Sequence, residues 1–156
     1  MSTETHFENG TLTVTRTFDA PREAVFEAWI ETSKVEKWWG CSMTTAVKSE
    51  IEPKVGGKYN HLMTIQGAGE YPMVCKITAY EPPELLAYED ASPNPAIGEG
   101  AEPMRVTVNF ISHGSQTEVR LVQENLPDNF SEMVKGGWTA AFGKLNDLLL
   151  GETAGA

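Results

Sequence analysis

Apolar and polar residues alternate along several short segments of the chain. In residues 11–18, TLTVTRTF, the side chains of Leu12, Val14 and Phe18 share one face with the aliphatic part of Arg16, and threonines occupy the other face. A period of two in a segment rich in β-branched residues predicts a strand. Further strands are predicted over residues 44–52, 58–65, roughly 70–80, 84–90, 104–111 and 116–123.

Two short helices are predicted between the first and second of these strands. Pro21 fits the first turn of a helix, where its missing N–H costs nothing, and apolar residues in 24–29 follow at helical spacing. A second helix is expected to start from Thr32 or Ser33 and to end at Gly40.

A long helix is predicted over residues 128–150, with Gly151 as its C-cap. Its apolar residues lie three or four positions apart and form a stripe more than five turns long. Two glycines inside it, Gly136 and Gly137, suggest close packing, a kink or room for a ligand. The stripe consists of Phe130, Val134, Trp138, Ala141, Phe142, Leu145, Leu148 and Leu149.

The order of these elements predicts an α+β fold. Consecutive strands with short turns favour an antiparallel sheet with the helices on one face, and the long helix needs the concave face of a curved sheet. Gly56 and Gly57 offer a place for the sheet to bend. Residues 91–103, with three prolines and two glycines in thirteen positions, predict a mobile loop. We expect one domain over residues 1–156 with a core at about 10–150.

The charge of the chain bears on its partners. Twelve basic and 22 acidic residues give −10 at pH 7, a field that repels nucleic acid and anionic membranes. No apolar run approaches the length of a membrane span, and the polar N-terminus lacks a signal-peptide core, so a cytoplasmic protein is expected. We further expect a monomer or a weak homodimer. Cys41 and Cys75 are expected to be free thiols, and three scattered histidines predict neither a metal site nor a cofactor.

Five segments together resemble a known family: DAPREAVFEAWIE, KWWG, EPKVGGKYNHLM, ITAYEPPELLAYE and the late GGW. In order and spacing they are similar to the activator-of-heat-shock-ATPase (AHSA-type) branch of the START-like superfamily, also called SRPBCC or birch-pollen-allergen-like. The resemblance covers roughly residues 10–150. The chain departs from the family's acidic-x-Arg at Glu52-Pro53-Lys54 and from its usual inward aromatic at His61.

This resemblance implies a helix-grip fold, in which a curved antiparallel sheet of six to seven strands wraps around the long C-terminal helix and encloses a cavity. The branch is named after a co-chaperone, which implies a chaperone partner that the residues themselves do not directly support. The residues expected to line the cavity are Tyr59, His61, Met63, Val106, Val108, Phe110, Val119, Leu121 and Gln123 from the sheet and Val134, Trp138 and Phe142 from the helix.

Each of these residues could instead simply fill a core, and His61 discriminates best between the two interpretations. It alternates with Tyr59 and Met63 and should therefore point inward, where an imidazole needs a hydrogen-bond partner. It could be a satisfied core histidine, a polar anchor for a ligand or a general base. The indole N–H of Trp138 needs a partner if it is buried, and a side chain of the sheet such as His61 or Tyr59 could supply it.

The sequence therefore favours the binding of a small, mostly apolar molecule, without catalysis. An enzyme of the cyclase or lyase type that uses His61 is one alternative, and a chaperone-interacting protein is another. Cys75 is interpreted as a small buried hydrophobe, because no neighbour in the sequence would lower the pKa of its thiol.

Overall fold

The computed structural model describes residues 3–40, 42–91 and 103–154, and this part of the chain forms nine strands and three α-helices. The helices are α1 (Arg22–Ile30), α2 (Thr32–Trp38) and α3 (Ser131–Ala154). The strands are β1 (Glu4–Glu8), β2 (Thr11–Phe18), β3 (Thr44–Ile51), β4 (Tyr59–Ile65), β5 (Gly69–Met73), β6 (Cys75–Glu81), β7 (Leu85–Asp90), β8 (Arg105–His113) and β9 (Gln116–Glu124).

All neighbouring strands pair antiparallel, and the predicted α+β helix-grip fold is confirmed. Hydrogen bonds divide the strands into a six-stranded sheet, in the order β1-β2-β9-β8-β7-β6, and a three-stranded sheet, β3-β4-β5. The expected single sheet of six to seven strands is thus two sheets, joined where Gly56 N donates to Ile77 O at 2.8 Å and Ile77 N to Gly57 O at 2.9 Å.

The strand expected over residues 70–80 is two strands in different sheets. The chain pairs with β4 up to Met73, and from Cys75 it pairs with β7 instead. Pro72 has no N–H for a ladder, and the amide of Cys75 donates to the side-chain oxygen of Asn60 at 3.1 Å. The period of two continues across Val74, so alternation alone does not reveal the change of sheet.

The N-terminal strand β1 is absent from the pattern-based assignment. It pairs with β2 through a two-residue turn at Asn9 and Gly10, both with positive φ (51° and 78°). Asn-Gly is the preferred sequence for such a hairpin. Four of the five residues of β1 are exposed, so the strand has no apolar face to produce an alternation.

Helix α3 presents its predicted stripe to the sheet. Ala141, Phe142, Leu145 and Leu149 are buried, and the other stripe residues are half-buried against the same core. The helix continues past Gly151 to Ala154, so the C-cap prediction is wrong, because a glycine inside a helix costs only about 1 kcal/mol. Residues 92–102 of the predicted mobile loop lie outside the described residues.

Candidate functional site

The four tryptophans of the chain meet in one place between the helices, and we call Trp29, Trp38, Trp39 and Trp138 the tryptophan cluster. Trp29 on α1 is its centre, with ring centroids 4.6 Å from Trp38, 6.4 Å from Trp39 and 6.1 Å from Trp138. Edge-to-face pairs predominate, an arrangement that stabilises aromatic contacts beyond their buried area. The cluster therefore joins all three helices through one set of ring contacts.

Hydrogen bonds fix the cluster to the backbone around it. The indole N–H of Trp38 donates to the carbonyl of Ala28 at 2.8 Å, which holds α2 against α1. The hydroxyl of Tyr59 donates to the carbonyl of Trp29, also at 2.8 Å, which holds β4 against α1. Trp39 follows the last residue of α2, and its backbone N–H donates to Val35 O at 2.9 Å. Its indole lies within ring-contact distance of both Tyr59 and Trp138.

His61 is buried on β4, directly beneath this cluster, with 1% of its surface exposed. Its ring stacks on Trp39, with centroids 3.9 Å apart. Its Nδ1 is 2.8 Å from the hydroxyl of Ser49, its register partner on β3. The backbone N–H of Ser49 in turn donates to a carboxylate oxygen of Glu36 at 2.7 Å. One face and one nitrogen of the imidazole are therefore held by protein groups.

The buried ionisable groups around His61 are uncharged at neutral pH. Burial lowers the pKa of His61 from 6.5 to about 3, so the imidazole is uncharged at neutral pH. Burial raises the pKa of Cys75 to about 12, with a further contribution from Asp90, and the pKa of Tyr59 and of Tyr88 also rises on burial. A raised pKa keeps the Cys75 thiol protonated, which agrees with its interpretation as a small buried hydrophobe.

Three buried polar atoms in this region have no hydrogen-bond partner in the described part of the chain: His61 Nε2, Tyr88 OH and Trp29 Nε1. Buried polar groups are nearly always paired, so three unpaired atoms in one region require an explanation. Tyr88 on β7 is absent from the sequence-based candidates. Its position two residues after the buried Leu86, on the same face of the strand, is the signal that could have identified it.

The twelve sequence-predicted site residues all face the same interior. Nine are buried, namely Tyr59, His61, Val106, Val108, Phe110, Val119, Leu121, Gln123 and Phe142. Met63, Val134 and Trp138 are half-buried and pack against the same core. The structure therefore gathers these residues, and whether they enclose a ligand remains a proposal.

The Trp138 indole pairs with a side chain of the sheet, as expected, but not with either of the two residues named as examples. Its N–H donates to Gln123 Oε1 at 2.8 Å, and Gln123 Nε2 lies 2.7 Å from the sulfur of Met104. Neither His61, whose Nδ1 pairs with Ser49, nor Tyr59, whose hydroxyl donates to Trp29 O, is the acceptor. Gln123 points into the interior, as expected, and its hydrogen bond with Trp138 connects strand β9 to helix α3.

A depression of about 330 Å³ lies on the three-stranded sheet, and it is distinct from this interior. Leu62 on β4 is the register partner of both Lys48 on β3 and Pro72 on β5, and all three line the depression. Each of them is next in sequence to a residue of the row Ser49, His61 and Met73, whose side chains point to the opposite face of the sheet. Strand alternation therefore places the depression on the outer face, opposite the imidazole of His61. Its lining residues are Lys48, Ser49, Glu50, Asn60, His61, Leu62, Pro72, Met73 and Val74.

Two features are absent from the described residues. No group of three or more histidine, cysteine, aspartate or glutamate side chains there is placed to hold a metal ion. None of the helices in residues 3–40, 42–91 and 103–154 has the length and apolar character needed to cross a membrane.

Comparison with known proteins identifies the family. Residues 19–150 match the model of the activator of Hsp90 ATPase homolog 1-like proteins. The chain belongs to this family. The AHSA-type resemblance and its place in the START-like superfamily are thereby confirmed. No curated protein sequence matches the chain significantly.

Solved structures support the fold of this AHSA-type chain. Protein CV1439 from Chromobacterium violaceum is 23% identical and superimposes with a TM-score of 0.79, over 90% of this chain and 96% of that one. NE0264 from Nitrosomonas europaea is 18% identical with a TM-score of 0.79, over 92% and 96%. A Rhodobacter sphaeroides protein is 16% identical with a TM-score of 0.79, over 97% and 99%.

Proposed function

We propose that this AHSA-type protein binds a small, mostly apolar molecule between its sheet and helix α3, with His61 as a polar anchor. The observation that carries the proposal is the unpaired Nε2 of His61, a buried ring nitrogen in an aromatic interior. An unsatisfied buried group costs about 1–3 kcal/mol, and a polar atom of a ligand would recover that cost.

The surroundings of His61 suit such a ligand. Ser49 and Trp39 fix the plane of the imidazole, so Nε2 keeps one direction without rearrangement on binding. The rings next to it are those of Tyr59 and Trp39, which offer apolar contact area. Few polar groups within an apolar wall are typical of small-molecule sites.

The cyclase or lyase alternative finds less support. The partner of His61 is the Ser49 hydroxyl rather than a carboxylate, and a conjugate acid with a pKa of about 3 makes a weak general base. The chaperone-interaction alternative stays a hypothesis. The family takes its name from one activator of Hsp90, and that name does not assign the same partner to every member. A pull-down with purified Hsp90 would test it directly.

Two measurements test the binding proposal. Native mass spectrometry of gently purified protein should show a retained molecule that denaturation releases. Titration with N-phenyl-1-naphthylamine, an uncharged apolar fluorophore, should give energy transfer from the tryptophan cluster. The variant His61→Phe keeps a ring but loses Nε2, and we expect it to weaken probe binding by about tenfold.

The exposed His113 supplies a matched control, because His113→Phe makes the same substitution at the surface and should leave probe binding unchanged. The absence of both a retained molecule and energy transfer in the wild-type protein would contradict the proposal. Equal affinity in wild type and His61→Phe would contradict the role of His61 as the anchor.

A further inference from the structure

Two unpaired donors beside His61 constrain the chemistry of the ligand. The Tyr88 hydroxyl on β7 and the Trp29 indole N–H on α1 are both buried and both lack a partner in the described chain. Both rings contact Trp39, with centroids 6.4 Å from it in each case, and Trp39 also stacks on His61. The three unpaired atoms therefore belong to rings that surround one indole.

The hydrogen-bonding character of these two groups is definite. An indole nitrogen only donates, and a protonated phenol donates its O–H. Burial raises the pKa of Tyr88 well above its usual value, so the hydroxyl stays protonated. Both groups thus seek an acceptor, whereas His61 Nε2 donates or accepts according to the tautomer that Ser49 selects.

Two half-buried charged side chains approach this interior from outside: Lys144 Nζ donates to Trp39 O at 3.3 Å, and Glu36 accepts from Ser49 N–H at 2.7 Å. The buried polar side chains among the described residues are His61, Thr117, Gln123 and Ser131, and none of them is charged at neutral pH. Neither Lys144 nor Glu36 is fully buried, so a carboxylate or ammonium ligand among these rings would lose its hydration without a fully buried counter-ion. A neutral acceptor avoids both costs.

We propose that the ligand is an uncharged molecule with an acceptor oxygen, typically a carbonyl, that receives hydrogen bonds from Tyr88 OH and Trp29 Nε1–H. This inference rests on the proposed binding function and adds the chemical class of the ligand. It makes Tyr88 a specificity-determining residue, because its hydroxyl distinguishes an oxygenated ligand from a hydrocarbon of the same shape.

Three probes that share one ring system test the class: naphthalene, 2-acetylnaphthalene and 2-naphthoate. Calorimetric titration should show that the ketone binds about tenfold more tightly than either the hydrocarbon or the anion. Tyr88→Phe should abolish the advantage of the ketone over naphthalene and leave naphthalene affinity unchanged. Tyr80→Phe, the same substitution on β6 where the ring contacts Phe26, should preserve the advantage.

The Trp29 contact has its own readout, because Trp29 is too central to the core for a truncation to be informative. In ¹⁵N-edited spectra the Trp29 indole proton should move downfield with 2-acetylnaphthalene and stay in place with naphthalene. A purely structural role for Trp29 would produce no such difference.

The outcomes separate this inference from the proposed function. Probes that bind without preference for the ketone, or a preference that survives Tyr88→Phe, overturn the ligand class while leaving apolar binding intact. Tightest binding of 2-naphthoate would show that a cation reaches the site and would also overturn it. If neither these probes nor N-phenyl-1-naphthylamine binds, the proposed function and this inference both fail.

Discussion

The indole of Trp39 lies almost parallel to the imidazole of His61, with centroids 3.9 Å and planes 24° apart. The contact joins the end of helix α2 to the middle of strand β4, and it removes one face of the imidazole from water. A charged imidazolium at this position would lose its hydration without a buried counter-ion. The stack therefore explains both the neutrality of His61 and the fixed direction of its free nitrogen.

Stability should depend on pH through His61. Its pKa is about 3 in the folded chain and 6.5 in the reference state, so between these values the unfolded chain binds a proton that the folded chain does not. The free energy of unfolding should therefore fall as the pH drops from 6.5 toward 3, by up to about 5 kcal/mol. Above pH 6.5 this group adds no pH dependence.

Urea titrations at pH 7, 5.5 and 4.5 measure this dependence. His61→Phe lacks the titrating group and serves as the reference, since Asp90 and the other acidic groups remain in both proteins. The wild type should lose more stability than the variant on acidification. Parallel losses would mean that the imidazole reaches solvent in the folded protein.

Ser49 should stabilise the folded chain through its hydroxyl. Ser49→Ala removes the hydrogen bond to His61 Nδ1 and leaves both ring nitrogens unpaired in a buried site. We expect a loss of about 1–3 kcal/mol in the free energy of unfolding. The exposed Ser112→Ala on β8 is the control, expected within about 0.5 kcal/mol of wild type. A neutral Ser49→Ala would indicate that Nδ1 has another partner.

Trp138 should contribute to stability both through its ring and through its indole N–H. Trp138→Ala removes ring contacts with Trp29, Trp39 and Phe142, and we expect a loss of about 3 kcal/mol, because the side chain is half-buried. Trp138→Phe keeps a ring but leaves the Gln123 oxygen unpaired, with an expected loss of about 1 kcal/mol. Chemical denaturation measures both, and a loss for Trp138→Ala below that of Trp138→Phe would contradict the packing.

Sequence patterns predicted the elements with an apolar face. Strand β2 and the stripe of α3 were assigned correctly, because burial on one side imposes a period on the sequence. The exposed β1 has no such period, and the change of sheet at Val74 leaves the period intact. Patterns of this kind report burial, and they do not report which strand is the neighbour.

Side-chain pairing could not be predicted in the same way. Ser49 meets His61 because their strands pair in one particular register, and no local signal specifies that register. Trp138 meets Gln123 because α3 crosses β9 at one height, and no local signal specifies that height. Inward direction was therefore predictable for His61 and Gln123, and their hydrogen bonds were not.

Two glycines should respond in opposite ways to a methyl group. A Cβ on Gly57 would overlap the backbone oxygen of Glu52, so Gly57→Ala must displace the turn that joins the two sheets. We expect a loss of about 2 kcal/mol or more. Gly136 lies in α3 with nothing within 4 Å of the added atom, so Gly136→Ala should raise the free energy of unfolding by about 0.5–1 kcal/mol.

The pair separates backbone strain from helix propensity, since both changes add the same methyl group. Urea denaturation with unchanged slopes gives the two free energies on one scale. Destabilisation by Gly136→Ala would show that α3 approaches a neighbour closely at this position, which is one of the three explanations that the sequence offers for its glycines. A neutral Gly57→Ala would show that the turn at Glu52 relaxes freely, and the contact between the sheets through Gly57 O and Ile77 N would then not depend on glycine.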